Sequence, residues 1–183
     1  MSDGATKSGS MGLVRSCTKG PVISENSTLT ATQNATDGSA PSVFDPTLEC
    51  STEQVVLFWQ PPSRFSPWSP PSFVVDDVSY SCAEQFMMAE KVRLFESHRA
   101  EELIVSLPDP RRHMRIGRGA RNFDIVIWDR VREGAVLGGT FAKFSPNPTI
   151  KHHLLSTGTK RLAEASPIGP VWDIGIRADD PEA

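Results

Sequence analysis

The chain has 183 residues, enough for one ordinary domain with its own core. Nineteen lysines and arginines against 22 aspartates and glutamates give a net charge of -3, which argues against a general polyanion binder and leaves room for a local basic patch. Cys17, Cys50 and Cys82 are an odd count without metal-ligand spacing, so neither a disulfide framework nor a zinc site is expected.

Residues 1 to about 53 are rich in Ser, Thr, Gly and Asn and carry few large apolar side chains. Such a segment cannot bury enough surface to offset its ordering entropy, so a disordered tail is expected, with the domain proper over residues 54–183. The N-terminus lacks an apolar signal core and no later run reaches the length of a membrane span. The expectation is therefore a soluble cytoplasmic protein with no membrane partner, the nucleus remaining open, and the sequons at Asn26 and Asn34 are incidental. No metal or organic cofactor is expected.

Composition changes at "VVLFWQPPSRFSPWSPPSFVV". Val55 to Trp59 read as a short strand, and Pro61, Pro62, Pro67, Pro70 and Pro71 enforce an extended loop. "SFVVDDVSY" suggests two short strands around a turn at Asp76 and Asp77. From residue 82 the period turns helical: a helix to about residue 96, a shorter one over "RAEELIVS", and a third from near Asp109 to Gly117 or Gly119. "FDIVIWDRVREGAVLGGTFAKF" reads as a long helix weakened by Gly134, Gly138 and Gly139. "NPTIKHHLLSTG" is a further helix, with Pro near its start and Gly near its end, and "KRLAEAS" is a candidate strand leading into "PVWDIGI". The fold class is α+β, a compact, mainly helical domain around a small sheet.

The helix over "SYSCAEQFMMAEKVRLFESH" sets two charges on an otherwise apolar stripe. Glu84 and Lys91 stand seven residues apart and almost overlie one another, about 10 Å apart along the axis. Direct pairing is not expected at that separation, but both side chains could converge on a ligand between them. Two structural alternatives stand beside this: Ser81 and Glu84 fit a capping box, and Lys91 could snorkel to solvent. Arg111, Arg115 and Arg118 follow helical spacing, with Arg112 and Arg121 nearby, and guanidinium forks match phosphate oxygens. A solvated helix face would look the same.

"AEQFMMAEK" resembles the signature helix of the NADAR (YbiA-like) family, and the order of "LFW", "FSPW", "RIGRGARNFD", "IWDRVREGAV", "AKFSPNP", "LLSTG", "LAEASP" and "VWDIGIRADDP" around it agrees. The resemblance spans residues 55 to 183. It implies hydrolysis of a ribosyl N-glycosidic bond, in ribosylaminouracil phosphates or in ADP-ribosylated guanine, free or within a nucleic acid. By position it implies Glu84 as the active-site carboxylate, Lys91 as the reactive amine, and Trp128 as the residue beside the base. Arg118, Arg115, Lys143 and Trp172 complete the expected substrate contacts. Glu164 matches a family Glu, with securing the strand end as its structural alternative.

Two departures stand out. Where the family carries an Asp three residues before a Trp-Gly pair, this chain has Gly169, and the pair reads Trp172-Asp173. The family pattern also continues past "DDP" to a further helix, whereas this sequence ends at Ala183, so an uncovered apolar surface is expected. The alternatives to an N-glycosidase are a non-catalytic ADP-ribose or nucleotide binder and an inactive paralogue.

Overall fold

The computed structural model describes residues 49–166, 172 and 174–176. Residues 1–48, Gly169, Asp173 and the "DDP" motif lie outside the described residues. Two strands, β1 (Glu49–Ser51) and β2 (Val55–Phe58), precede the proline loop, and a hairpin of β3 (Phe73–Val75) and β4 (Val78–Tyr80) follows it. Five helices come next: α1 (Ala83–Leu94), α2 (His98–Ser106), α3 (Pro110–Arg118), α4 (Ile125–Phe144) and α5 (Pro148–Ser156). The strand β5 (Arg161–Glu164) returns parallel to β2, giving a sheet of order β1-β2-β5 with β1 antiparallel. The α+β class is as expected.

The expected tail overran the domain by a strand. Glu49–Ser51 pair with Val56–Phe58, and Ser63 Oγ and His153 Nε2 both meet the Glu49 carboxylate, at 2.7 and 3.0 Å. Polar composition hid this strand: its pairing with β2 is local, whereas the side chains that hold Glu49 include His153, far along the chain. A second correction concerns cysteine: Cys50 is disulfide-bonded, while Cys82 is free and buried.

Local chemistry sets most boundaries. Asp76 and Asp77 both adopt positive φ, 48° and 61°, the left-handed pair that a two-residue hairpin demands. Asp109 caps α3 by accepting from the Arg111 amide, and Asp124 caps α4 by accepting from Val126 and Ile127. Pro110 and Pro148 stand at helix starts, where no backbone donor is lost.

The start of α1 differs from the capping box expected for Ser81 and Glu84. Cys82 is the N-cap residue, one position later, and no side-chain hydrogen bond caps the helix there. Gln85 therefore holds the third helical position, and its Oε1 accepts from the Ser81 amide at 2.6 Å. Its Nε2 reaches the Ile104 and Leu107 carbonyls at 2.8 and 2.9 Å, satisfying the C-terminal end of α2. Glu84 is left to face elsewhere.

Helix α1 is the hub of the fold, packed against α2, α3 and α4. Phe86, Met88, Ala89 and Val92 join Phe73, Tyr80 and Ile104 in one apolar core, while Val56, Phe65, Phe144 and Ile150 form another on the sheet side. Two glycines permit the close approach. A Cβ at Gly117 would lie 2.2 Å from Met88 Sδ, and one at Gly139 would lie 2.7 Å from Phe86 Cδ1. Leu137 and Phe141 on the other side of α4 are exposed, 70% and 71%, so this helix keeps an open apolar face. No described helix is long and apolar enough to cross a membrane.

The glycines of α4 should respond with opposite signs. At Gly134 nothing lies within 4 Å of an added Cβ, so Gly134→Ala should stabilise by about 0.5–1 kcal/mol through helix propensity. Gly139→Ala gains the same propensity but must displace the Phe86 ring, and should destabilise by on the order of 1 kcal/mol net. Urea unfolding of both variants measures this; stabilisation by Gly139→Ala would mean that α4 does not seat on Phe86.

Candidate active site

Between the two apolar cores lies a cavity of about 830 Å³. Its wall is built from α1 (Glu84, Met87, Met88, Lys91), the proline loop (Phe65 to Trp68), α3 (Met114, Arg118), α4 (Trp128, Lys143) and β5 (Glu164), with Trp172 at one side. The seven-residue spacing on α1 thus places Glu84 and Lys91 in one chamber.

Glu84 is 5% exposed, at the first turn of α1. Its amide donates to the Pro67 carbonyl at 3.0 Å, and the Trp68 indole hydrogen-bonds its carboxyl, so the proline loop grips both ends of the residue. Burial, with the negative charge of Glu164 added, pushes Glu84 up to about 7. Arg118, the Trp68 hydrogen bond and Lys91 pull in the other direction without cancelling that rise. A carboxyl in this state is half protonated near neutral pH.

Lys91 sits two turns further on and is buried rather than snorkelling. Its Nζ lies 4.1 Å from the Phe123 ring centroid and 5.7 Å from that of Trp128. Burial holds the amine below the usual lysine range, and the neighbouring Arg118 cation lowers it further, against an opposing pull from Glu84. Among the apolar residues of the same stripe, Met88 and Phe95 are buried, but Leu94 is 40% exposed. Phe123 was no candidate in the sequence, and its contact with Lys91 comes from the turn before α4.

The arginines divide between two spaces. Arg118 lines the main cavity, whereas Arg115 and Arg111 line an adjoining one of about 460 Å³. Gln60, Trp68, Met114 and Arg118 are common to both, so the basic annex opens beside the Glu84 wall. Trp172 is 43% exposed, with the Arg132 guanidinium 5.4 Å from its ring.

Lys143 has a different environment from the other expected substrate contacts. It is 1% exposed, and its Nζ donates to the carbonyls of Arg64 and Ser66 at 3.0 and 2.8 Å. Burial lowers it to about 8, so the amine stays mostly protonated near neutral pH. These bonds tie α4 to the loop carrying Trp68, whose own amide is held by Ser66 Oγ at 3.3 Å. The geometry is that of a clamp on the loop.

Trp68 and Glu164 also face the cavity. "FSPW" carries Trp68 among the family motifs without disclosing its bond to Glu84, and only the parallel return of β5 beside β2 brings Glu164 to the cavity.

With this geometry in place, comparison with known proteins is informative. The NADAR domain model matches residues 57–183, and the chain belongs to that family. An N-glycosidase, R617 of Acanthamoeba polyphaga mimivirus, is 37% identical over 119 residues, 62% of this chain and 70% of its own length. The N-glycosidase Npun_R5314 of Nostoc punctiforme is 27% identical over 117 residues, 64% of this chain and 75% of its own. The solution structure of the E. coli protein YbiA superposes with a TM-score of 0.59 at 20% identity, covering 73% of this chain and 80% of that one, and shows the shared fold.

The Glu84 shift carries a stability consequence. A carboxyl raised from 4.5 to about 7 by folding stabilises the native state at low pH, and that contribution is lost as pH climbs through about 7. The full shift corresponds to at most about 3 kcal/mol. Glu84→Gln, which keeps the shape and cannot ionise, should hardly alter stability near pH 4.5 and should raise it by roughly 1–3 kcal/mol near pH 8. Urea titrations at both pH values read this; a pH-independent difference would refute a buried, half-protonated Glu84.

Proposed function

We propose that the chain is an N-glycosidase-type hydrolase of a ribosyl N-glycosidic bond. The observation that carries the reading is one cavity holding a carboxyl raised to about 7 and an amine lowered from its usual range, on one face of one helix. Both groups are displaced towards their neutral forms, a proton donor and a nucleophile. The membership of the NADAR family and the two N-glycosidase relatives support the reaction class.

In this reading Glu84 gives its proton to the base nitrogen as the bond from that nitrogen to the anomeric carbon breaks, its electron pair leaving with the base. The uncharged Lys91 amine adds to the anomeric carbon. Opening of the sugar ring moves a pair to the ring oxygen, which takes a proton, and leaves a Schiff base on Lys91. Water then adds to the same carbon, Glu84 takes its proton, and the amine departs to release the sugar. Trp128 offers an aromatic face to the base, a contact worth about 1–3 kcal/mol where such stacking has been measured. Arg118, with Arg115 in the annex, is suited to phosphate on the sugar, so ribosylaminouracil phosphate and ADP-ribosylated guanine, free or in a nucleic acid, are the substrate classes to assay. The cavity is of a size that holds such ligands.

Borohydride added during turnover should trap a covalent adduct on Lys91, identified by peptide mass. Lys91→Ala should abolish it, and Lys91→Arg should do the same because a guanidinium stays protonated. Glu84→Gln should lower kcat by roughly 10²–10⁴-fold while sparing much of the binding. Ligand binding without turnover or adduct, in both the natural chain and Gly169→Asp, would replace this reading with that of a nucleotide-binding module.

A further inference from the structure

Glu84 does not face the cavity as its sole carboxylate. At the end of β5, Glu164 lines the same chamber from the sheet side, while Glu84 enters from α1. The register fixes this approach: Glu164 pairs with Phe58 at the end of β2, and the Ala165 amide donates to the Phe58 carbonyl at 2.7 Å. The Glu164 carbonyl in turn accepts from the Ile174 amide at 3.0 Å, so the residue is held on both sides by main chain.

We propose that Glu164 is a positioning residue for the proton of the site: its negative charge, facing the buried Glu84 across the cavity, keeps that proton on Glu84 at neutral pH so that Glu84 can act as the acid. The proposal rests on the reading of Glu84 as proton donor given above and adds the group that sustains it.

The other groups facing Glu84 oppose this effect or leave it unchanged. Arg118 from α3 and Lys91 from α1 favour the ionised carboxylate, and so does the Trp68 indole from the proline loop. Lys143 from α4 lines the cavity, but its amine is held by two backbone carbonyls. Cys82 stands at the N-cap of the same helix. On the far side of α1, α2 meets Gln85 rather than Glu84. With two cations and a hydrogen-bond donor favouring ionisation, burial and the like charge of Glu164 are what oppose it.

The test is direct and needs no substrate. The carboxyl carbons are labelled with ¹³C, and the Glu84 resonance, assigned through Glu84→Gln, is titrated in the natural chain, Glu164→Gln and Glu164→Asp. Glu164→Gln should lower the Glu84 midpoint by roughly one pH unit, whereas Glu164→Asp, which retains the charge, should keep it near that of the natural chain. A one-unit fall reduces the protonated fraction at pH 7 about fivefold, so the pH–rate profile of Glu164→Gln should move to lower pH by the same amount and regain rate there. An unchanged midpoint in Glu164→Gln, or an equal fall in Glu164→Asp, overturns the proposal. A midpoint that falls as expected in a protein that turns over no ribosyl substrate supports it and instead defeats the functional reading.

Discussion

The close seating of α3 and α4 on α1 is the constraint on which the site depends. Glycine at 117 and 139 removes the Cβ atoms that would strike Met88 and Phe86, and no larger residue allows the same approach without displacement. Because α3 sits this near, Arg118 comes within electrostatic reach of both Glu84 and Lys91. Because α4 does so as well, Trp128 at its start and Lys143 at its end both reach the cavity. The glycines weaken α4 as an isolated helix, but at position 139 the loss secures a contact that propensity cannot register.

This packing exacts a cost at the site itself. Glu84 and Lys91 both lose water, and each is moved towards its neutral form. Lys143 is buried more deeply and is lowered to about 8, and two carbonyls accept from its amine. The surroundings differ: backbone carbonyls hold the Lys143 amine, whereas the rings of Phe123 and Trp128 stand beside that of Lys91.

The helices were legible in the sequence because their signals are local. The caps at Asp109 and Asp124, the prolines at 110 and 148 and the paired aspartates of the hairpin act within a few residues, and the elements fall where those residues place them. The seven-residue spacing likewise located Glu84 and Lys91 on one face. What was not legible depends on distant partners. The Glu49 carboxylate of β1 is met by His153, Lys143 acts on carbonyls almost eighty residues away, and Glu164 reaches the site by a parallel crossover. The start of α1 failed for a smaller reason. A shift of one residue moved the third helical position from Glu84 to Gln85, and with it the choice between a cap and a cavity.

The charges around the cavity then form a consistent arrangement. Glu84 and Lys91 stand two helical turns apart on α1 as opposite charges, and that mutual attraction favours both ionised forms. Each is also countered by a like charge from another element: Glu164 on β5 for Glu84, and Arg118 on α3 for Lys91. Arg118 works against a protonated Glu84 while working for the uncharged amine, and burial of Glu84, with the like charge of Glu164 added, outweighs it. Helix α1 alone would hold an ion pair at long range; burial, with Glu164 on the sheet and Arg118 on α3 added, shifts the carboxyl up and the amine down on either side of one cavity.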